Sequence, residues 1–233
     1  MKTPDLIKFS SFIFLLAATA FFSGCNKDED VVKVTDVDGN TYEAVTIGSQ
    51  VWLGTNLKVT HYRNGDAISM RDRTHWDANS TEGAFADYED SPANGELYGH
   101  LYNWYAVSDT RGLAPDGYHV ATDNDWRVLG DFLGGDTIAG GKIKEEGVTH
   151  WMSPNVGATD EVNFTALPGG ERVVSITYDD GKGIFASFWT SSNSVQYPSL
   201  ASFRGLEFDI PDIYGRADAA AKSGGFSVRC VKD

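Results

Sequence analysis

From residue 160 onward the chain breaks into short apolar runs separated by turns, "NFTALPGGERV", "GIFASFWTSS", "FRGLEFD" and "GFSVRCVKD". That punctuation restricts it to short strands joined by loops. The beginning of the domain reads the same way. In "VVKVTDVDGNTYEAVTIGSQVWLGTNL", Asp38-Gly39 turns residues 32–35 back onto 42–47, and Gly48-Ser49 turns that strand onto 51–53. Asp36, Asp38 and Asn40 begin like a calcium loop but lack its later glycine and distal Glu, so turn chemistry accounts for them. One stretch, "ATDNDWRVLGDFLGG", carries a clear helical period: Thr122 caps it with Asp125, Trp126, Leu129, Phe132 and Leu133 form an apolar stripe, and Gly134 stops it. A shorter helix is expected over 101–107, and Gly140-Gly141 suit a closely packed helix turn. One or two helices among many short antiparallel strands predict an α+β fold, and ~200 residues are enough for a single well-buried core.

The amino terminus predicts export. Lys2 and Lys8 precede an apolar run from Phe12 to Phe22, the length of a signal peptide's apolar segment and too short to span a bilayer. Phe22-Ser23-Gly24-Cys25 resembles the lipobox of bacterial lipoproteins, with Phe where Leu is usual. The expectation is a signal peptide over 1–24, Cys25 acylated as the mature amino terminus, and a tether over 25–33; the alternative is ordinary signal cleavage with a free Cys25. The charged run Asn26-Lys27-Asp28-Glu29-Asp30 is too polar to pack. It is also similar to the acidic export tag of outer-membrane surface lipoproteins in Bacteroidota. An acylated Cys25 leaves Cys230 alone. Phe226, Val228 and Cys230 alternate with Ser227 and Arg229, which predicts a half-buried strand with the thiol on its inner face.

Removing residues 1–24 takes away Lys2, Lys8 and Asp5 and leaves 17 basic against 32 acidic residues, a poor match for nucleic acid. Neither Gly-x-Ser-x-Gly nor His-Glu-x-x-His occurs, and "GGDTIAGGKIK" has the wrong glycine spacing for a P-loop, with Ile143 where a hydroxyl should stand. The expectation is a protein that is not an enzyme and carries no cofactor and no metal.

Seven blocks then carry a resemblance: "TDVDGNTYEAVTIGSQVWLGTNL", "YGHLYNWYAV", "GLAPDGYHVATDNDWRVLGDFLGG", "AGGKIKEEGVTHWMSPN", "FTALPGGERV", "FWTSS" and "GFSVRCVKD". In this order they resemble the Fibrobacter succinogenes major paralogous domain family, from about Thr35 to the end of the chain, with the domain itself taken as 34–233. The match is poorest over 69–96 and 193–222, which read as surface loops. The resemblance implies an exported, often lipid-anchored domain of undefined activity with a C-type-lectin-like fold. The Glu-Pro-Asn, Gln-Pro-Asp and Trp-Asn-Asp tripeptides of calcium-dependent sugar binders are absent, so lectin activity would need a different construction. The ending is also similar to that of formylglycine-generating-type enzymes, whose reactive cysteine site a lone thiol does not supply.

Six Trp and ten Tyr are more aromatics than a core of this size needs, and flat rings with polar edges serve sugars and proteins alike. Trp52, Trp104, Trp126 and Trp189 lie in the blocks above and are expected in the core. Trp76 and Trp151, each ending a Thr-His-Trp tripeptide, together with Tyr88 and Tyr197, are the expected ligand contacts. The reading is a lipid-anchored outer-membrane protein of the cell surface that binds a glycan or a protein. The alternatives are a structural part of a surface or fimbria-like assembly and, behind it, an enzyme.

Overall fold

The computed structural model describes Met1 and residues 32–172, 179–194, 196–215 and 219–233. The signal segment, Cys25 and most of the tether lie outside the described residues. Contacts separate the chain into a unit over residues 1–30 and a compact unit from Val31 to Asp233, and the architecture below is that of the second.

The two expected hairpins form. Strand β1 (Lys33–Thr35) pairs antiparallel with β2 (Thr41–Ile47), which pairs with β3 (Gln50–Leu53). The Asp36 carboxylate closes the first turn, accepting from the backbone N–H groups of Asp38 and Asn40 and from the hydroxyl of Tyr42. The closing strand β13 (Cys230–Lys232) inserts between β3 and β7 (Tyr118–Val120), so one sheet in the order β1-β2-β3-β13-β7 joins both ends of the domain. A second sheet is built on the long antiparallel pair β10 (Phe185–Asn193) and β11 (Leu200–Glu207), with β8 (Gly169–Arg172), β9 (Asp179–Lys182) and β12 (Ala219–Ala221) completing it. A small third sheet holds β4 (Ser69–Met70), β5 (Ala84–Ala86) and β6 (Leu101–Tyr102). Most pairings are antiparallel, and together with the helices they make an α+β fold.

Four α-helices stand among the described residues, more than expected: α1 (Pro92–Tyr98), α2 (Trp104–Val107), α3 (Asp123–Phe132) and α4 (Asp136–Ile143). Composition hid α1, and α4 was expected only as the closely packed helix turn at Gly140-Gly141. Helix α1 carries an Asn-Gly pair and α4 a Gly-Gly pair, both poor helix formers. Tertiary contact decides otherwise. A Cβ at Gly140 would lie 2.2 Å from the Asp212 carbonyl and one at Gly141 2.5 Å from that of Gly157, so only glycine lets these backbones meet. The expected helix over 101–107 shortens to α2 because 101–102 pair into β6. In α3 the Thr122–Asp125 capping box forms as read, but Phe132 lies at the edge of the stripe and is 59% exposed.

Two further expectations are corrected. The stretches 69–96 and 193–222 are not surface loops: they supply β4, β5 and α1 in one case and β11 and β12 in the other. The closing segment is not half-buried, since Ser227 and Arg229 are as buried as Phe226, Val228 and Cys230. The reason is a pair of cores. Successive side chains of a strand point to opposite faces. Leu53, Trp189 and Cys230 accordingly enter one cluster with Tyr42, Tyr102, Trp104 and Phe226, while their neighbours Trp52, Phe188 and Val231 enter another with Trp126, Trp151 and Phe164.

Arg229 sits at the junction, 1% exposed. Its Nε donates to Asn56 Oδ1 at 2.6 Å, one terminal nitrogen to the carbonyls of Leu53 and Phe164, and the other to that of Thr165. Its guanidinium also lies 4.2 Å from the Phe164 ring centroid. Burial pushes its pKa down to about 9, opposed by nearby Asp160, so it stays charged at neutral pH. Replacing it with Met would strand four buried acceptors at ~1–3 kcal/mol each before relaxation. The expected loss in urea unfolding is at least ~3 kcal/mol, with Arg229→Lys intermediate; a loss under ~1 kcal/mol for the Met variant would mean that the guanidinium does not join the strands.

Candidate functional site

The structure separates the four residues expected at the ligand. Trp151 is buried at 2% exposure, its indole Nε1 donating to the Ala166 carbonyl at 2.9 Å with the Lys144 ammonium 5.3 Å from its ring. Tyr88 is buried at 4% and its hydroxyl accepts from the Lys182 backbone N–H. Both expectations of exposure are therefore corrected. The tripeptide setting misled for Trp151, because Thr149 stays exposed while the indole alone turns inward, where its one donor finds the Ala166 carbonyl. Tyr88 begins a short 3-10 turn, Tyr88–Asp90, that tucks its ring inward.

Trp76 and Tyr197 keep part of their surface open to solvent. Half-buried Trp76 donates from Nε1 to the Ser223 carbonyl at 2.8 Å, packs on Gly225, where a Cβ would come within 3.0 Å of the ring, and lies beneath the Arg172 guanidinium. Lys222, one residue before Ser223, holds its ammonium 4.4 Å from the Trp104 ring centroid and donates to the Pro198 carbonyl, next to Tyr197, which is 51% exposed. Two Thr-His-Trp tripeptides thus have different fates. His75 pairs with Asp72 in the open and His150 with Glu145. Among the described residues no group of three or more His, Cys, Asp or Glu side chains is placed to hold a metal.

A polar groove of about 310 Å³ lies on the domain, lined by Asp38 and Asn40 of the β1–β2 turn, Lys58 and Thr60, Asp87, His100, and residues of α1 including Gly95 and Glu96. At its floor His100 Nδ1 meets Asp87 Oδ1 at 2.7 Å, with the side chains 14% and 4% exposed. The His100 ring is backed by Phe85, centroids 4.7 Å apart, and by Tyr102. Gly95 is required there, since a Cβ would fall 2.0 Å from Asp87 Oδ1. At the rim Lys58 Nζ pairs with Glu96 at 2.6 Å. The Asp38 carboxylate accepts from the N–H groups of Thr60 and His61 and from the His61 ring; burial works against its charge, but these bonds hold its pKa below the ordinary carboxylate value. A smaller cleft of about 150 Å³ beside the same turn is lined by Arg63, whose donors already serve the carbonyls of Ala114, Pro115 and Tyr118. No part of the larger groove was foreseen from sequence. Its residues are separated by up to sixty positions and match no motif; the Asp38 turn was the sole hint.

Curled, mostly antiparallel sheets with four short helices, two aromatic cores and a polar groove define a single α+β domain over the second unit. Residues 45–232 match the model of the Fibrobacter succinogenes major domain, and the chain belongs to that family. No curated protein and no solved structure matches it.

His100 and His119 should titrate on opposite sides of the ordinary histidine value of 6.5. Burial lowers His100, only partly offset by Asp87. His119 is raised: burial opposes its charge, but hydrogen bonds to Asp233 and Asp125 prevail. By linkage, the His100 contribution to stability is complete above pH 6.5 and falls as pH drops below it, whereas that of His119 is complete below 6.5 and is lost as pH rises through its folded pKa. NMR titration of the imidazole protons checks both, and a His100 midpoint above that of His119 would overturn the geometry.

Proposed function

We propose that this protein is a lipid-anchored domain of the bacterial cell surface, with a C-type-lectin-like fold, that binds a glycan or a protein partner. Cys25 is the acylated residue, and the membrane is reached through it. The observation that carries the binding reading is the placement of half-buried Trp76, its indole fixed to the Ser223 carbonyl, and of Tyr197, 51% exposed, whose neighbour Pro198 accepts from the Lys222 ammonium. Aromatic rings that keep a polar handle lose little conformational freedom on binding and offer a flat face to a sugar or an apolar side chain. The Trp76 ring is held in place by the Ser223 carbonyl and Gly225, so it is oriented before a ligand arrives.

The formal net charge of −14 disfavours nucleic acid and other polyanions. The binding reading also fits the groove better than catalysis does. Among the described residues the His100 ring bonds only to Asp87, and neither a hydroxyl nor a thiol is held against it for activation. The thiol of Cys230 is fully buried, and burial raises its pKa well above that of a reactive cysteine.

A glycan array and a cell-surface binding assay test the contact. Trp76→Ala and Tyr197→Ala are each expected to weaken recognition at least ~10-fold, the scale of one lost aromatic anchor; retention of full binding by both variants removes this surface from the reading. For the anchor, Cys25→Ala is expected to move the protein from the membrane fraction to the soluble one, and mass spectrometry of the wild-type amino terminus should find acyl chains on Cys25. An unmodified Cys25 would make the protein freely secreted.

A further inference from the structure

We propose that the groove between the β1–β2 turn and α1 is a second ligand site, and that it seats a neutral, hydroxyl-rich molecule of sugar size over the His100 imidazole. The volume of about 310 Å³ is at the small end of ligand sites, which suits one or two sugar rings and little more. Charge narrows the class. Three carboxylates, Asp38, Asp87 and Glu96, line the groove against one ammonium, Lys58, so phosphates, sulfates and uronates meet net repulsion. A cation gains little in their place, because each carboxylate already has an internal partner: His61 and the Thr60 N–H for Asp38, His100 for Asp87, Lys58 for Glu96.

What the groove offers is hydrogen-bonding capacity. With Nδ1–H given to Asp87, the neutral His100 ring turns Nε2 outward as an acceptor, and among the described residues that nitrogen has no partner. Asn40 donates its amide N–H groups to Asp36 and to the Lys58 carbonyl, which orients the amide and leaves its oxygen as another acceptor. Lys58 binds Glu96 with one of three ammonium protons and keeps donors in reserve. The groove therefore presents acceptors and donors side by side. A neutral ligand fits only if it brings donors without charge, which is what hydroxyl groups do while also accepting from Lys58. The backing of the His100 ring by Phe85, and the Gly95 contact that keeps α1 close to Asp87, hold the floor rigid before a ligand arrives.

This site is distinct from the Trp76–Tyr197 surface and stands or falls separately. The test follows the His100 imidazole signals of the purified protein by NMR during titration with glucose, galactose and N-acetylglucosamine, beside anionic glucuronate and cationic glucosamine. At least one neutral sugar is expected to move the His100 signals saturably and to bind more tightly than both charged sugars. Lys58→Met combined with Glu96→Gln, a change at the rim that leaves the core untouched, is expected to weaken that sugar ~10-fold, the scale of one charge-assisted hydrogen bond. An unchanged His119 signal reports that the variant is folded. Trp76→Ala is expected to leave the titration as in wild type. The proposal is overturned if no neutral sugar shifts His100 saturably, if glucuronate or glucosamine binds more tightly, or if the folded double variant binds like wild type.

Discussion

A single buried guanidinium ties the closing segment to the rest of the domain. Arg229 reaches the backbone of β3 through Leu53, the side chain of Asn56 just beyond it, and the backbone of 164–165. No pair of elements among these could be separated without leaving a buried carbonyl unpaired, and an unpaired buried acceptor costs more than an ordinary hydrogen bond contributes. Arginine is the residue that can do this: five donors in a rigid fork, still charged when burial lowers its pKa to about 9. Asn56 extends the same tie, since its amide N–H donates to the Tyr98 carbonyl at the end of α1. The junction that joins the first sheet to the loop below it thus also fixes the helix that walls the groove.

Burial of the closing segment on both faces explains which parts of the fold could be read in advance. Hairpins were legible because turn glycines and local alternation specify them within ten residues, and α3 because its cap and stripe are local. The depth of Ser227 and Arg229 was not legible. Alternation of apolar and polar residues signals one wet face only when the polar side chains find water; here the Arg229 side chain finds the carbonyls of Leu53 and Phe164, and Ser227 is drawn in by its main-chain bonds to β10. For the same reason α1 was not legible and α4 was read only as a helix turn: their glycines lower helix propensity locally but permit close contacts made with residues far away in the chain.

The fate of the aromatics makes the point at the level of the site. Residues 74–76 and 149–151 share one tripeptide, yet one indole lies half open on Gly225 and the other is sealed beneath Lys144. The flanks differ, charged around 74–76 and with Val148 and Met152 around 149–151, but the tripeptide itself does not separate them. What does so is the acceptor each indole N–H finds, the Ser223 carbonyl at the domain surface or the Ala166 carbonyl inside it, and both lie beyond local reading. The four tryptophans assigned to the core because they lie in the blocks that carry the family resemblance are buried, at exposures of 0–6%.

The two surfaces have Arg172 as a common neighbour. Arg172 lies over the Trp76 ring and donates to the Arg71 and Asp87 carbonyls, while the Asp87 carboxylate holds His100 at the floor of the groove. Arg172 is also held by the Asp90 carboxylate, so loss of the Trp76 ring leaves its bond to the Asp87 backbone, and with it the groove's dyad, in place. Trp76, Tyr197 and Lys222 stand in the stretches 69–96 and 193–222, whereas the groove takes Asp87 and residues of α1 from the first of these and Asp38, Asn40, Lys58, Thr60 and His100 from outside them. Exposed side chains at these places can change without entering the two cores, which is the physical condition for one scaffold to present different surfaces.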